Sequence, residues 1–254
     1  MKKGIDISYC NHTYSPIDFK AVKDEVDFVM IRAGYRGYID GALRKDKFFE
    51  HNINGCIGFN IPFGVYFFSQ AVNESEGRKE AKFVLGLVEG VKLDYPIAID
   101  TEWSGHANNR GRADNITPMD RTEAVKGFCD EIEKAGYFAQ IYCSESWYKT
   151  QLIPNDLKAF DFWIANWSKK PSVECGMWQY SEKGQVNGIK GNTDMNYAYK
   201  DYPSIMKENG LNGYGNDEPV YEVHIYGLTG DEFDDICEFL KERDIPHDDK
   251  IVKG

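Results

Sequence analysis

Eight short apolar runs rich in β-forming residues recur along the first 200 or so residues, and most are separated by segments with helical spacing. The runs lie at 4–9, 27–33, 63–69, 96–101, 138–143, 161–166, 176–181 and 193–198. Near-continuous apolar strands are typical of a parallel sheet covered on both faces. Strands that alternate with helices indicate a barrel when eight of them are present. We therefore predict an α/β fold built on a TIM-like barrel.

Two of the intervening helices have recognisable boundaries, and two of the connections are short. Asn73 and Glu76 have the spacing of a capping box. Thr117, Pro118 and Gly136 are residue types that favour the N-cap, the first helical position and the exit of a second helix. The connections after the sixth and seventh strands have roughly ten residues each, fewer than a parallel crossover with a helix needs. The prediction is thus an irregular (β/α)5(β)3 barrel, with five strand–helix units followed by three strands.

The composition changes after the predicted barrel, which spans residues 1–206. Residues 207–219 are rich in Gly and Asn and predict a linker. Residues 220–254 contain a strand-like alternation, a helix that begins at Thr229 and a short apolar pair, which predict a small C-terminal α+β (β-α-β) module. At this size a hydrophobic core is too small to stand alone. We expect the module to dock on another surface, to dimerise or to trimerise.

The charge of the chain limits its partners. The net charge is −11 and basic residues never form a run, which excludes nucleic acid and anionic membranes as partners. No apolar stretch has the length of a membrane span, and no apolar segment follows Lys2 and Lys3. We therefore predict synthesis in the cytoplasm without a signal peptide. Six dispersed cysteines, with no CxxC pair, predict free thiols.

Acidic residues fall at predicted strand ends. Asp100 and Glu102 follow an apolar run, and residues two apart on a strand point to one face with Cα atoms roughly 6.5 Å apart. Asp6 lies in the first strand and Asp194 in the last, so all four acids can converge on one barrel mouth. Crowded carboxylates cannot all ionise cheaply, so one stays protonated near neutral pH. A protonated acid beside an ionised one is what cleavage of a glycosidic bond requires.

Other interpretations of the Asp-x-Glu pair stay open at this level. Such a pair can cap a helix, bind a surface lysine or bind Mg²⁺. No paired histidines accompany the acids, and we interpret His12 and His106 as polar loop residues, so no metal site is predicted. Rings near a barrel mouth can fill the core or stack on sugars. Four tryptophans lie at or just past strand ends: Trp103, Trp163, Trp167 and Trp178.

Seven motifs in register carry a resemblance to a known family. They are GIDIS (4–8), PFGVYFFSQA (62–71), PIAIDTEW (96–103), AQIYCS (139–144), FWIANW (162–167), WQYS (178–181) and TDMN (193–196). Together they resemble glycoside hydrolase family 25, the Ch-type lysozymes or 1,4-β-N-acetylmuramidases, over about residues 1–200. The resemblance implies the family's β/α barrel, no cofactor, and bacterial peptidoglycan as the substrate. The bond cut would be the β-1,4 bond between N-acetylmuramic acid and N-acetylglucosamine.

The resemblance also implies roles for particular residues. Glu102 matches the general acid and Asp100 its partner, while Asp6 and Asp194 match two further catalytic acids. Four more residues match positions that line the sugar groove: Tyr66, Tyr142, Trp167 and Gln179. Two departures, Thr193 in place of an aliphatic residue and Cys143 in place of Thr, leave every acid intact.

The family includes both phage endolysins and bacterial autolysins. The lack of a signal and the unpaired cysteines favour an endolysin that is made in the cytoplasm and reaches the wall after holin-type release. Residues 220–254 would then bind a cell-wall ligand, mediate self-association, or dock on the barrel as a tail. The rival hypotheses are a carbohydrate-binding barrel without catalysis, an autolysin, and a chitinase-like or metal-dependent hydrolase.

Overall fold

The computed structural model describes residues 1–105 and 111–216, together with the helical positions Asp235 and Glu238. Contacts divide the chain into two compact units, Met1–Asn216 and Asp217–Gly254. Apart from those two helical positions, the module predicted at 220–254 lies outside the described residues, as does His106. Its role and the predicted domain boundaries stay predictions.

The described residues of the first unit contain nine strands and six α-helices, together with three short 3-10 helices. The strands are β1 (Lys2–Ile7), β2 (Phe28–Arg36), β3 (Leu43–Lys45), β4 (Phe63–Phe68), β5 (Ile97–Asp100), β6 (Ala139–Ser144), β7 (Asp161–Ala165), β8 (Met177–Gly184) and β9 (Thr193–Ala198). The helices are α1 (Phe19–Val22), α2 (Phe49–Gly58), α3 (Glu74–Leu87), α4 (Pro118–Lys134), α5 (Glu145–Thr150) and α6 (Tyr202–Glu208). In the described ranges, no helix is long and apolar enough to cross a membrane.

Eight of the strands close into a barrel. The order is β1-β9-β8-β7-β6-β5-β4-β2, and β2 pairs with β1 to complete the ring. The short β3 extends the sheet by pairing antiparallel with β2. The predicted α/β barrel is confirmed. The strand β3 was not predicted, because its three residues are too few to show an alternation of apolar and polar side chains.

The last strand runs against the others. Each of the other seven barrel strands is parallel to its neighbours among those seven, whereas β9 is antiparallel to both β8 and β1. The beginning of β9 therefore lies at the barrel end where the parallel strands finish. This direction places Asp194 opposite Asp6 in the β1–β9 ladder.

Helices follow the first five barrel strands, but they are unequal. α3 and α4 have 14 and 17 residues, while α1 has four and α5 has six. Along the described chain, no helix separates β7 from β8 or β8 from β9. The formal division into five regular units and three strands stays a prediction, because α1 is a single turn.

Alternation along each strand sorts side chains between two cores. In β5, Ile97 and Ile99 join the layer between strands and helices, while Ala98 belongs to the cluster inside the barrel. Large rings fill the interior near the amino ends of the parallel strands, where Phe28 stacks on Tyr95 at 4.3 Å between ring centroids. This packing closes one end of the barrel and leaves the inward positions at the other end to polar residues.

The predicted helix boundaries are observed with one change of partner. The Asn73 carboxamide oxygen accepts from the backbone N–H of Glu76 at 3.0 Å, as an N-cap does. The Glu76 carboxylate accepts from the N–H of Val72 at 3.1 Å, so the reciprocal bond forms one residue earlier than in a capping box. Thr117 caps α4, and Gly136 leaves that helix with φ of 80°.

Residues 207–216, predicted as the beginning of a linker, are part of the barrel unit. Asn212 is fully buried and donates to the carbonyls of Leu93 at 3.2 Å and Tyr95 at 2.9 Å. Its own carboxamide oxygen accepts from the N–H of Phe138 at 2.7 Å. Three bonds from one buried amide tie this segment to the barrel. The Gly and Asn residues of this segment adopt positive φ in turns, as at Gly213, and the segment is not a free linker.

Candidate active site

A cavity of about 230 Å³ opens at the carboxyl ends of the parallel strands. The side chains in its wall are those of Asp6, Arg32, Tyr66, Phe68, Asp100, Glu102, Tyr142, Trp163, Trp167, Gln179, Glu182 and Asp194. All eight residues that the sequence analysis selected for the site therefore lie around one cavity. Their individual catalytic roles stay predictions.

The strands position these side chains through their alternation. Asp6 on β1, Tyr66 on β4, Asp100 at the end of β5 and Tyr142 on β6 are the inward residues of their strands near the mouth. Glu102 lies two residues beyond Asp100 and lines the same cavity, as the period of an extended chain requires. Neighbouring strands thus bring residues distant in sequence to one wall.

Gln179 links three of the predicted residues. Its side-chain N–H donates to Asp6 Oδ2 at 3.0 Å. Its Oε1 accepts from the Tyr142 hydroxyl and from Trp167 Nε1, each at 3.0 Å. Because both ends of the amide are engaged, its orientation is determined. Its oxygen holds the two rings, and its nitrogen holds the carboxylate.

Asn196 provides a second support for Asp6. Its side-chain N–H donates to Asp6 Oδ2 at 2.9 Å, and its Oδ1 accepts from Trp163 Nε1 at 2.9 Å. The sequence analysis did not select Asn196, although it falls within the TDMN motif. Asp6 therefore accepts two side-chain hydrogen bonds on one oxygen, which fix its position beneath the cavity.

Burial raises the pKa of the four acids that were predicted from the sequence, Asp6, Asp100, Glu102 and Asp194. The pKa of Glu102 rises to about 7 through burial and then the charge of Asp6. The pKa of Asp194 rises to about 8 for the same two reasons. For Asp100, burial and then Glu102 and Asp6 raise the pKa well above its usual value. Burial also raises the pKa of Asp6, against the hydrogen bonds from Asn196 and Gln179. The cavity can therefore hold a proton on an acid at neutral pH.

Two charged residues in the wall were not selected from the sequence. Arg32 lies in the middle of β2, in a run that is typical of an apolar strand, and only its inward position could have drawn attention to it. Glu182 lies on β8 beyond the predicted end of that strand, since β8 continues to Gly184. To predict Glu182 from the sequence, the exact end of β8 would have been needed.

Two of the four tryptophans selected from the sequence line the cavity, and the other two lie outside its wall. Trp163 and Trp167 line the cavity. Trp103 is 43% exposed and makes an edge contact with Trp147, at 5.3 Å between centroids. Trp178 donates to the carbonyl of Asn166 at 2.9 Å, on the side of β8 opposite the inward-facing Gln179. Only half of the predicted aromatic group therefore contributes to this site.

His12, interpreted from the sequence as a polar loop residue, lies outside the cavity wall. It is buried, stacks on Phe48 at 3.9 Å between centroids, and contacts Asn52 Oδ1 through Nε2 at 2.8 Å. His12 belongs to the short turn Tyr9–His12 between β1 and α1, and its ring packs against α2 and the residue before that helix. In the part of the chain that the structure describes, no group of three or more His, Cys, Asp or Glu side chains could hold a metal ion.

Comparisons with known proteins agree with this geometry. Residues 5–189 match the family described as glycosyl hydrolases family 25. The autolytic lysozyme of Clostridium acetobutylicum is 29% identical over 198 residues, covering 76% of this chain and 54% of that protein. The modular autolysin LytC of Streptococcus pneumoniae is 32% identical with a TM-score of 0.67, covering 77% of this chain and 46% of LytC.

Two further structural findings bear on the site. LytC has also been solved in complex with a synthetic peptidoglycan ligand. The CTP1L endolysin is 26% identical with a TM-score of 0.65, and the match covers 82% of this chain and 70% of that endolysin. The chain spans about half the length of the autolytic lysozyme and of LytC.

Proposed function

The chain belongs to glycosyl hydrolases family 25, and from this membership we propose that it is a lysozyme acting on bacterial peptidoglycan. The bond cut is the β-1,4 bond between N-acetylmuramic acid and N-acetylglucosamine. The observation that carries the proposal is the pair Asp100 and Glu102 in one cavity wall, where burial raises the pKa of both. The complex of LytC with a peptidoglycan ligand supports the choice of substrate.

The proposal gives the two acids different roles. Glu102 donates its proton to the glycosidic oxygen as the bond to the sugar breaks. The carboxylate of Asp100 stabilises the positive charge that develops on the ring, and water then completes the hydrolysis. Gln179, held by Asp6 and Tyr142, presents a fixed polar group to the sugar. Trp167 offers a half-exposed ring on which a sugar face can stack.

The pH dependence of lysis provides a first check. Because Glu102 must be protonated and its pKa is raised to about 7, activity is expected to fall as the pH rises through about 7. The measurement is the rate of turbidity loss of purified cell walls between about pH 5 and pH 9 at constant ionic strength. A rate that increases steadily through this range would contradict the role of Glu102 as a proton donor.

Product analysis tests the bond itself. Digested peptidoglycan is reduced with borohydride, and the reduced sugar at each new chain end is identified. New ends formed by muramic acid support the proposal, whereas new glucosamine ends contradict it. Cleavage of chitin oligomers but not of walls would favour the chitinase-like alternative, and loss of lysis with a chelator would favour a metal-dependent one. A protein that binds walls without cleaving them would favour a carbohydrate-binding barrel.

For the biological setting we propose an endolysin, made in the cytoplasm and delivered by a holin. The similarity to the CTP1L endolysin supports this setting, and the similarity to the autolytic lysozyme and LytC supports the autolysin alternative. Expression of the chain inside bacteria, with and without a holin, separates them. Lysis only with the holin supports the endolysin, and lysis without it supports the autolysin.

For residues 220–254 we propose binding to a cell-wall ligand, with self-association as the alternative. A chain that ends after Asn216 is expected to cleave soluble muropeptides normally but to sediment less with intact walls. The end point follows Asn216 because the buried Asn212 belongs to the barrel. Size-exclusion chromatography of both chains reports on self-association. Unchanged wall binding by the shorter chain would contradict the targeting role.

A further inference from the structure

Arg32 brings a positive charge into a strongly acidic cavity. Its side chain lies in the wall together with five carboxyl groups, those of Asp6, Asp100, Glu102, Glu182 and Asp194. Among the residues that line the cavity in the described chain, it is the one basic side chain. Arg32 is paired with Tyr66 in the ladder between β2 and β4. The next strand in the sheet, β5, carries Asp100.

The guanidinium is held by Asp46, which lies behind it. Arg32 Nε donates to Asp46 Oδ2 at 2.9 Å, and Nη2 lies 2.8 Å from the same oxygen. The side chain of Asp46 is 0% exposed and that of Arg32 is 11% exposed. Asp46 also accepts from the backbone N–H groups of Tyr9 at 3.1 Å and Phe48 at 2.9 Å. Arg32 therefore has a fixed position, and its buried partner is itself fixed by backbone bonds.

The charge state of Asp100 depends on the charged groups around it. Its Oδ1 is buried without a hydrogen-bond partner in the described part of the chain, so no donor stabilises a negative charge at that atom. The charge of Arg32 lowers the pKa of Asp100, against burial and the neighbouring acids. The titratable and charged groups that interact electrostatically with Asp100 come from several elements. They are Asp6 from β1, Arg32 from β2, Tyr38 from the β2–β3 turn, Tyr66 from β4, Glu102 from its own segment, Tyr142 and Cys143 from β6, and Asp194 from β9.

Glu102 differs from Asp100 in what determines its pKa, which burial and Asp6 raise. Two acids that are two residues apart in sequence therefore meet different fields. The negative charge of Glu102 raises the pKa of Asp100, so an ionised Asp100 requires a protonated Glu102 and a nearby positive charge.

We propose that Arg32, held by Asp46, is a positioning residue that stabilises the negative charge on Asp100 while Glu102 keeps its proton. The inference rests on the proposed function and adds the group that separates the charge states of the two acids.

The test is the pH profile of wall lysis by the full chain. A double variant, Arg32→Gln with Asp46→Asn, removes both charges at constant size and so avoids leaving a buried carboxylate unpaired. We expect the acid limb of its kcat/KM profile to move upward by about one pH unit. The alkaline limb, set by Glu102, is expected to stay in place. The matched control is Arg32→Lys, which keeps the positive charge. The acid limb of its profile is expected to stay close to that of the wild type.

Each outcome decides the proposal. An unmoved acid limb in the folded double variant overturns it, and so does an equal displacement of both limbs. If circular dichroism shows that this variant does not fold, Arg32→Met with Asp46→Leu replaces the pair by apolar side chains, a change that buried ion pairs often tolerate. The same displacement is expected there, and its absence overturns the inference. Wild-type protein without any lysis contradicts the proposed function itself, whereas normal lysis with an unmoved limb contradicts only the role of Arg32.

Discussion

Glu102→Gln is expected to reduce the rate of wall lysis by a factor on the order of 10³ while the fold is retained. Glutamine keeps the size and the polar oxygen of the side chain but has no acidic proton to give to the leaving sugar. Glu102 lies in the cavity wall, and burial raises its pKa to about 7, so the wild-type acid carries a proton in the working range. The measurement is turbidity loss of purified walls, with released reducing ends counted in parallel.

The control for this prediction removes the same charge elsewhere. Glu89 is exposed after the end of α3, and Glu89→Gln is expected to leave lysis unchanged. Thermal unfolding of both variants shows whether the barrel is intact. A Glu102→Gln protein that lyses walls at the wild-type rate would rule out Glu102 as the general acid and leave Asp194, whose pKa rises to about 8, as the next candidate.

Arg36→Met is expected to lower the free energy of unfolding by about 3 kcal/mol. Arg36 Nε donates to Glu80 Oε1 at 2.7 Å, and the two side chains are 6% and 0% exposed. Removal of the guanidinium leaves the Glu80 carboxyl buried without its cation. Burial already raises the pKa of that group to about 7. The measurement is urea unfolding near neutral pH, followed by circular dichroism.

The control is a second arginine of the same strand–turn region. Arg44 pairs with Asp40 on the surface, and their side chains are 41% and 54% exposed. Solvent screens an exposed pair, so Arg44→Met is expected to leave the unfolding midpoint almost unchanged. Equal destabilisation by the two substitutions would contradict the importance of the buried pair. Glu80 also accepts from Ser69 Oγ at 2.6 Å, so loss of the pair is expected to loosen the segment after β4.

The barrel strands were predictable because each presents apolar residues to two cores. β9 was predicted over its observed residues, and the bounds of the other barrel strands differ from the predicted ones by at most three residues at either end. The direction of β9 was not predictable in the same way, since the local pattern of a strand is equal in either direction. The observed direction explains how Asp194, at the beginning of its strand, reaches a mouth formed by strand ends.

The acids of the site were predicted from the sequence, whereas the residues that hold them in place were not. Asp100 and Glu102 stand out because charges end an apolar run. Arg32 and Asn196 are also inward residues, but their importance depends on partners 14 and 190 residues away in sequence. Asn212 shows the same limit, because a Gly- and Asn-rich segment resembles a linker until its amide meets the carbonyls of Leu93 and Tyr95. Long-range hydrogen bonds leave no periodic signal.

The antiparallel pairing of β8 and β9 has a consequence for how this enzyme family can diversify. Residues 185–192 join two strands that are hydrogen-bonded to each other, and they do so at the cavity end of the barrel. An insertion there would lengthen one rim of the substrate groove as a hairpin extension, while ring closure through β1 would keep its register. Directed evolution of cleavage preference could therefore begin with loop-length libraries at 190–192, which are exposed, whereas Val186 and Ile189 of the same connection are buried in the core.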